Sequence, residues 1–396
     1  MSESVHRRIV YFIIVLTVIL TVSELTARAL YKHPYLTGLF KDDSTFHHMP
    51  PPYYEGGMRS EGDFDLPFTT NNKGMRGPGD YTYDKAPGVF RVAVLGDSFM
   101  FGVGVQADET FSAVLEKLLN RSSEGPKKYQ VYNFGVNSFS PLLEYIYIKR
   151  EVIEYKPDLV ILMLDLCDMQ DDYFYEPHIV KDASGDIVGC DPFRKNGLPD
   201  LKSLLMRHSR LYFMLDQKLF QSFRKMKTLG FRRYFENKIK KVRNKTDILV
   251  NKEIDNIEFD RFLFVREGKN KAVVTRHWER TAKYLSMIKQ YLDKQGVRFI
   301  MATYPYGHQV GERQWDKGRA YWAFEHGRVY DPSAAFATIE DFAKMDGIKF
   351  IKVYDALRAR KDEPLYFTSD GHCTKLGQEI AAESVYSSPI FRKELE

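Results

Sequence analysis

The stretch "RVAVLGDSFMFGVGV", residues 91 to 105, decides how the chain is read. It opens on a run of β-formers, and an unbroken apolar run suits a strand buried on both faces of a parallel sheet. The run ends in Gly96-Asp97-Ser98, and a turn-rich segment follows. Ser98 therefore stands just past the carboxyl end of a strand, where open α/β sheets carry their sites. Taken alone, it is also an ordinary serine closing a turn. A hydroxyl becomes a useful nucleophile only when a base takes its proton and a carboxylate holds that base.

Outward from this stretch the same pattern recurs. "FRVAVLG" (90–96), "YQVYNFG" (129–135), "DLVILMLD" (158–165), "VRFIMATYP" (297–305) and "IKFIKVYD" (348–355) are five β-rich runs. Helical patterns lie between them at 109–120, 142–155, 280–295 and 335–345, with a last helix from about Leu376 to Tyr386. Alternation of this kind predicts an α/β fold: a three-layer sandwich around a five-stranded parallel sheet of the flavodoxin-like type. Just before the last helix stands "FTSDGHCTKLG" (367–377), which carries Asp370 and His372. Ser98 as nucleophile, His372 as base and Asp370 as the carboxylate that orients it form a more demanding coincidence than any of the three alone.

At this point the chain resembles the SGNH (GDSL-type) hydrolase family. That family places its serine in a Gly-Asp-Ser block after the first strand and its Asp and His close together near the C-terminus, matched here by Gly96-Asp97-Ser98 and by Asp370 and His372. The resemblance covers roughly 90–170 and 297–387 and implies a serine esterase or O-acyltransferase that needs no cofactor and no metal. It also implies an oxyanion hole built from the serine N–H, a glycine N–H after the second strand and an asparagine amide after the third. Here the glycine position falls on Ser138, or on Asn137 if the turn is shifted, within "NFGVNSFS" (133–140). The asparagine position falls on Cys167, in "LDLCDMQDD" (164–172). A thiol is a poor donor beside an amide, and losing one oxyanion donor costs about 2.7–4 kcal/mol. Asn137 is the candidate replacement amide. His308, in "YPYGHQV" (304–310), is a candidate substrate contact, with a plain loop histidine as the alternative. Asp168, Asp171 and Asp172 read as loop solvation, with Asp168 as a candidate to hold the block by hydrogen bonds.

The remaining sequence sets the context. His6-Arg7-Arg8 precedes an uncharged stretch from Ile9 to Ser23. Fifteen residues of helix span roughly 22 Å, short of the ~30 Å hydrocarbon core. An uncleaved anchor extended by Leu25, Leu30 and Tyr31, or a signal cleaved after Ala29, both follow, and either exports the body. Residues 1–31 are thus an anchor or signal segment and 32–88 an irregular lead-in with one hairpin. The SGNH-like domain runs over 89–390 with an insertion at 172–275. Within that insertion, residues 201–250 hold fourteen Lys/Arg against three Asp/Glu, with Tyr212, Phe213, Phe220, Phe223, Phe231, Tyr234 and Phe235 interleaved. This reads as a basic helical cap, either lying on anionic lipid or packed on the domain. A net charge of +5 on 396 residues points to no nucleic acid. Cys167, Cys190 and Cys373 allow one disulfide outside the cytoplasm, the alternative being that Cys167 and Cys373, which both line the cleft, are buried thiols packing as small hydrophobes. The expected function is a membrane-tethered esterase or O-acyltransferase, facing the periplasm or the exterior, on acylated envelope glycans or lipids. Its alternatives are a catalytically impaired domain that binds a glycan or envelope protein, and a scaffold docked through the basic cap.

Overall fold

The computed structural model describes residues 3–30, 40–121, 127–215, 262–265, 271–322 and 324–396. Five strands build the central sheet: β1 (Val89–Gly96), β2 (Lys128–Asn133), β3 (Leu159–Leu164), β4 (Arg298–Thr303) and β5 (Lys349–Lys352). All neighbours are parallel, in the order β5-β4-β3-β1-β2. Val94 pairs with Asn133 on one side and with Ile161 on the other. Every residue of β3 and all but the first of β1 are buried, as continuous apolar strands in a doubly covered sheet require. This strand order has its switch point between β1 and β3, so their carboxyl ends frame the crevice where such folds bind ligands.

The helices that matter for the site are α2 (Ser98–Phe101), α3 (Phe111–Arg121), α4 (Pro141–Arg150), α5 (Asp168–Tyr175), α6 (Lys271–Lys294), α7 (Gly307–Val310), α8 (Ser333–Met345) and α9 (Lys375–Ser387). Helix α3 packs with α9, and α6 packs with α4 and α5. The apolar periodicity behind α6 extends nine residues before the expected start, because Val273, His277 and Trp278 continue its buried face. The expected 142–155 helix instead ends at Arg150 and tightens into a 3₁₀ turn over Val152–Tyr155, closed by Lys156 in the left-handed conformation (φ 53°).

The lead-in corrects the expectation of an irregular segment with one hairpin. It holds two antiparallel hairpins, Lys41–Asp43 with His47–Met49 and Glu55–Ser60 with Phe64–Thr69. A third small hairpin, Ile179–Lys181 with Ile187–Cys190, opens the insertion.

By its internal contacts the chain forms two units: Leu39–Asp191 with Leu249–Glu396, which carries the sheet, and Met1–Gly38 with Pro192–Ile248. In the second unit α1 runs unbroken over Glu3–Leu30. Its Val5–Ala29 segment has a mean hydropathy of 2.3 and is long and apolar enough to cross a membrane. Glu24 accepts hydrogen bonds from Arg28, from the Ser209 hydroxyl and from the amides of Arg210 and Leu211. It thereby caps the short helix Arg210–Leu215. Helix Leu201–His208 precedes that cap, whereas residues 216–261, with most of the expected basic aromatic segment, lie outside the described residues.

Candidate active site

The chain turns directly from β1 into α2. Gly96 has φ 154°, and a Cβ there would meet the Met100 side chain at 2.5 Å, so a side chain would push α2 away from the strand end. Asp97 caps α2 by accepting from the Phe99 amide at 2.9 Å. Ser98 is the first helical residue, so its N–H belongs to the opening turn, where amides have no intrahelical acceptor. The half-buried Ser98 hydroxyl lies 2.7 Å from His372 Nε2. On the far side of the ring, His372 Nδ1 bonds Asp370 Oδ1, which also accepts from the His372 amide at 3.2 Å. Burial alone would raise the Asp370 pKa, but the hydrogen bonds and charge of His372 outweigh it and hold the carboxyl below its ordinary value. Asp370 is therefore an acceptor, Nδ1 carries the proton, and Nε2 is free to accept from Ser98. Gly371 makes the turn between the two possible: its φ is 92°, and a Cβ would meet Trp315 Nε1 at 2.5 Å. The ring of Phe99 lies against the imidazole at 4.8 Å between centroids.

Beneath the serine lies a buried carboxyl network that the sequence reading did not anticipate. Tyr304 donates to Asp97 Oδ1 at 2.9 Å and reaches Asp165 Oδ2 at 3.1 Å, while Tyr306 bonds Asp165 Oδ1. Burial, then the charge and hydrogen bond of Asp165, push the Asp97 carboxyl well up. Asp97 Oδ2 also lies 3.3 Å from Ser98 Oγ, so the serine hydroxyl borders this network. The network continues into α5, where Asp168 Oδ2 accepts from the Asp165 amide at 3.0 Å and Asp172 from Leu142 and Thr281. Asp168, Asp171 and Asp172 are all buried on a helix, which corrects their reading as a solvated loop, while Asp168 does hold the block through its bond to the Asp165 amide.

The oxyanion candidates divide. Ser138 has φ 60°, the left-handed conformation natural to glycine, at the position where the resemblance calls for one. The turn is held from outside by its carbonyls. His48 Nε2 donates to Asn137 O at 2.7 Å, and the Tyr175 hydroxyl donates to Ser138 O at 3.0 Å. Asn137 Oδ1 is buried without a hydrogen-bond partner. Cys167 caps the start of α5, donates its N–H to Asp165 Oδ1 at 2.7 Å and engages the Tyr306 hydroxyl through its thiol. That position thus offers sulfur where an amide would donate. Cys167 Sγ and carboxylate oxygens of Asp168 and Asp171 lie within 4.8 Å of one another, a spacing that could hold a metal ion, though a carboxyl cluster alone assigns none.

His308 is corrected as a substrate contact. It sits on α7, fully buried, stacked on Phe324 at 4.0 Å and walled by Tyr306, Trp315 and Tyr330, so no substrate touches it. All three cysteines are free and buried, so of the two readings that the sequence leaves open the structure has the buried thiols. Burial pushes the Cys373 thiol up, which leaves it inert beside His372. The sequence reading also passed over Arg76, a fully buried guanidinium that donates to Phe101, Gly102 and Val105 carbonyls behind α2.

No family model matches the sequence, and no curated protein matches it. Among solved structures, this one is similar to the acetyl xylan esterase AlAXEase at 12% identity, covering 75% of this chain and 98% of that one with a TM-score of 0.38. It is also similar to TesA (12%, 77% and 99%, TM-score 0.37). A catalytic mutant of Axe2, an acetylxylan esterase from Geobacillus stearothermophilus, gives 12%, 77% and 94% with a TM-score of 0.36. These likenesses decide neither fold nor chemistry: the fold is read from this chain's own sheet and the chemistry from its own residues. Its parallel sheet and the order of Ser98, Asp370 and His372 match the SGNH arrangement that the sequence resembles.

Proposed function

We propose that the protein is a membrane-tethered serine esterase or O-acyltransferase of the SGNH type that acts on acylated cell-envelope glycans or lipids. The observation that carries this reading is the continuous relay from Ser98 Oγ through His372 to Asp370. Ser98 attacks the acyl carbonyl while its proton passes to His372 Nε2, and Asp370 stabilises the imidazolium. The tetrahedral intermediate collapses as Nε2 returns the proton to the leaving oxygen. Water then releases the acyl group, or a sugar hydroxyl accepts it, with His372 again as base. The Ser98 N–H and the left-handed turn at Ser138 are the backbone sources of oxyanion donors. Tethering rests on α1, with Arg7 and Arg8 on the retained side.

A second reading, an impaired SGNH-like domain that binds a glycan or envelope partner, is favoured by one observation. The thiol of Cys167 stands at the amide position and is already engaged with Tyr306. Hydrolysis of p-nitrophenyl acetate by the full-length protein and its Ser98→Ala variant decides between them. Turnover that disappears in Ser98→Ala supports the enzyme; equal, background rates in both support the binding domain.

A further inference from the structure

The loop that carries Asp370 and His372 is gripped from the lead-in, more than 300 residues earlier in the chain. The hairpin Glu55–Ser60 with Phe64–Thr69 ends in a tight turn, and Asp63 projects from it. Its Oδ1 accepts from the Thr368 amide at 3.0 Å and the Thr368 hydroxyl at 2.8 Å. Its Oδ2 accepts from the Ser369 amide at 2.9 Å and the Asp370 amide at 2.7 Å. Successive backbone N–H groups that converge on one anion form a nest. Here the anion is a side chain from another part of the fold. The loop's carbonyls are held from a different direction: Gly318 N–H donates to Thr368 O at 2.9 Å and Trp315 Nε1 to Ser369 O at 3.3 Å. Phe64, the residue after Asp63, packs its ring on Phe367 at 4.9 Å, next to the loop.

We infer that Asp63 is a positioning residue for the Asp370–His372 pair, and that the lead-in hairpin completes the active site. The inference rests on the esterase reading and extends it. Its chemistry is specific: an anion in the nest fixes the Asp370 backbone, the Asp370 carboxylate then aims the imidazole, and the imidazole meets Ser98. The other lead-in contacts follow the same pattern, with His48 on the Asn137 carbonyl and Arg76 on the loop behind α2. Each catalytic segment is braced by a residue between 48 and 76.

A merely structural carboxylate would not be replaced by a free anion; a nest should accept one. In full-length protein, Asp63→Ala is expected to lower kcat for p-nitrophenyl acetate about 100-fold with little change in KM, the size of effect a displacement of about 1 Å produces. Added formate is expected to fill the nest and restore much of the loss in Asp63→Ala while leaving the wild type unchanged. An unaltered kcat, or a loss that formate does not recover, overturns the inference. Wild-type protein with no Ser98-dependent turnover instead sinks the esterase reading. In that case the imidazole NMR signals of His372 decide: signals that move in Asp63→Ala and return with formate uphold the positioning role, and signals that never move refute it.

Discussion

Replacing Asp370 by asparagine keeps the shape of the relay and removes its charge. The carboxylate and imidazole side chains are only 22% and 20% exposed, so the pair works in an environment between surface and interior. For opposite charges centred about 4 Å apart at an effective dielectric constant of about 20, the attraction is about 4 kcal/mol. That attraction is realised in full only when His372 holds the serine proton, so its loss falls on the transition state. At 1.36 kcal/mol per decade, about 4 kcal/mol corresponds to a roughly 10³-fold fall in kcat. If the asparagine turns its NH₂ toward Nδ1, the ring adopts the opposite tautomer, Nε2 becomes a donor toward Ser98, and the loss approaches 10⁴-fold. The assay is steady-state hydrolysis of p-nitrophenyl acetate by purified full-length Asp370→Asn, with circular dichroism to confirm the fold. A fall in kcat of less than about tenfold would refute the assignment of Asp370, because no charged partner worth 4 kcal/mol would then be acting.

Two further predictions concern the buried acids and the oxyanion turn. Burial drives the Asp172 pKa from 3.8 to about 7, against the hydrogen bonds of Thr281, Ser140 and Leu142. The folded state then keeps a proton that the unfolded chain releases. Stability therefore falls as pH rises from about 4 to about 7, by about 4 kcal/mol in total, and levels off above that. Urea midpoints measured across this range are expected to show the slope in the wild type and a flatter line in Asp172→Asn; parallel lines would contradict the account. Cys167→Asn places an amide donor where the SGNH arrangement uses one, and kcat is expected to rise by up to about 10². An unchanged or reduced kcat would show that the oxyanion hole is already complete without it.

The sheet was legible because its strands are apolar throughout: "VAVL" and "LVILML" have no polar face to be misassigned. The expected run at 348–355 overreached, since pairing stops at Lys352 and a helix starts at Tyr354. Ser98, Asp370 and His372 were legible because chain order and local spacing bring them to one edge of the sheet. Asp63, His48 and Arg76 were not. They lie in a Gly- and Pro-rich segment whose hairpins are only three to six residues per strand, and their partners are backbone atoms that leave no mark on the sequence. His308 misled for the reverse reason: a histidine after Tyr-Pro-Tyr-Gly reads as an exposed turn, but Phe324 and Tyr330 enclose it. Buried aspartates on α5 are equally hidden, because a lone acidic cluster normally signals solvent.

The central claim is that Ser98 is an activated nucleophile, and a fluorophosphonate probe tests it without knowledge of the natural ester. The full-length protein is treated with the probe, digested and mapped by mass spectrometry, alongside Ser98→Ala and His372→Ala. The account predicts a single phosphonylated peptide containing Ser98, absent from Ser98→Ala and strongly reduced in His372→Ala. Wild-type protein that stays unlabelled, or labelling that persists in Ser98→Ala, would contradict it.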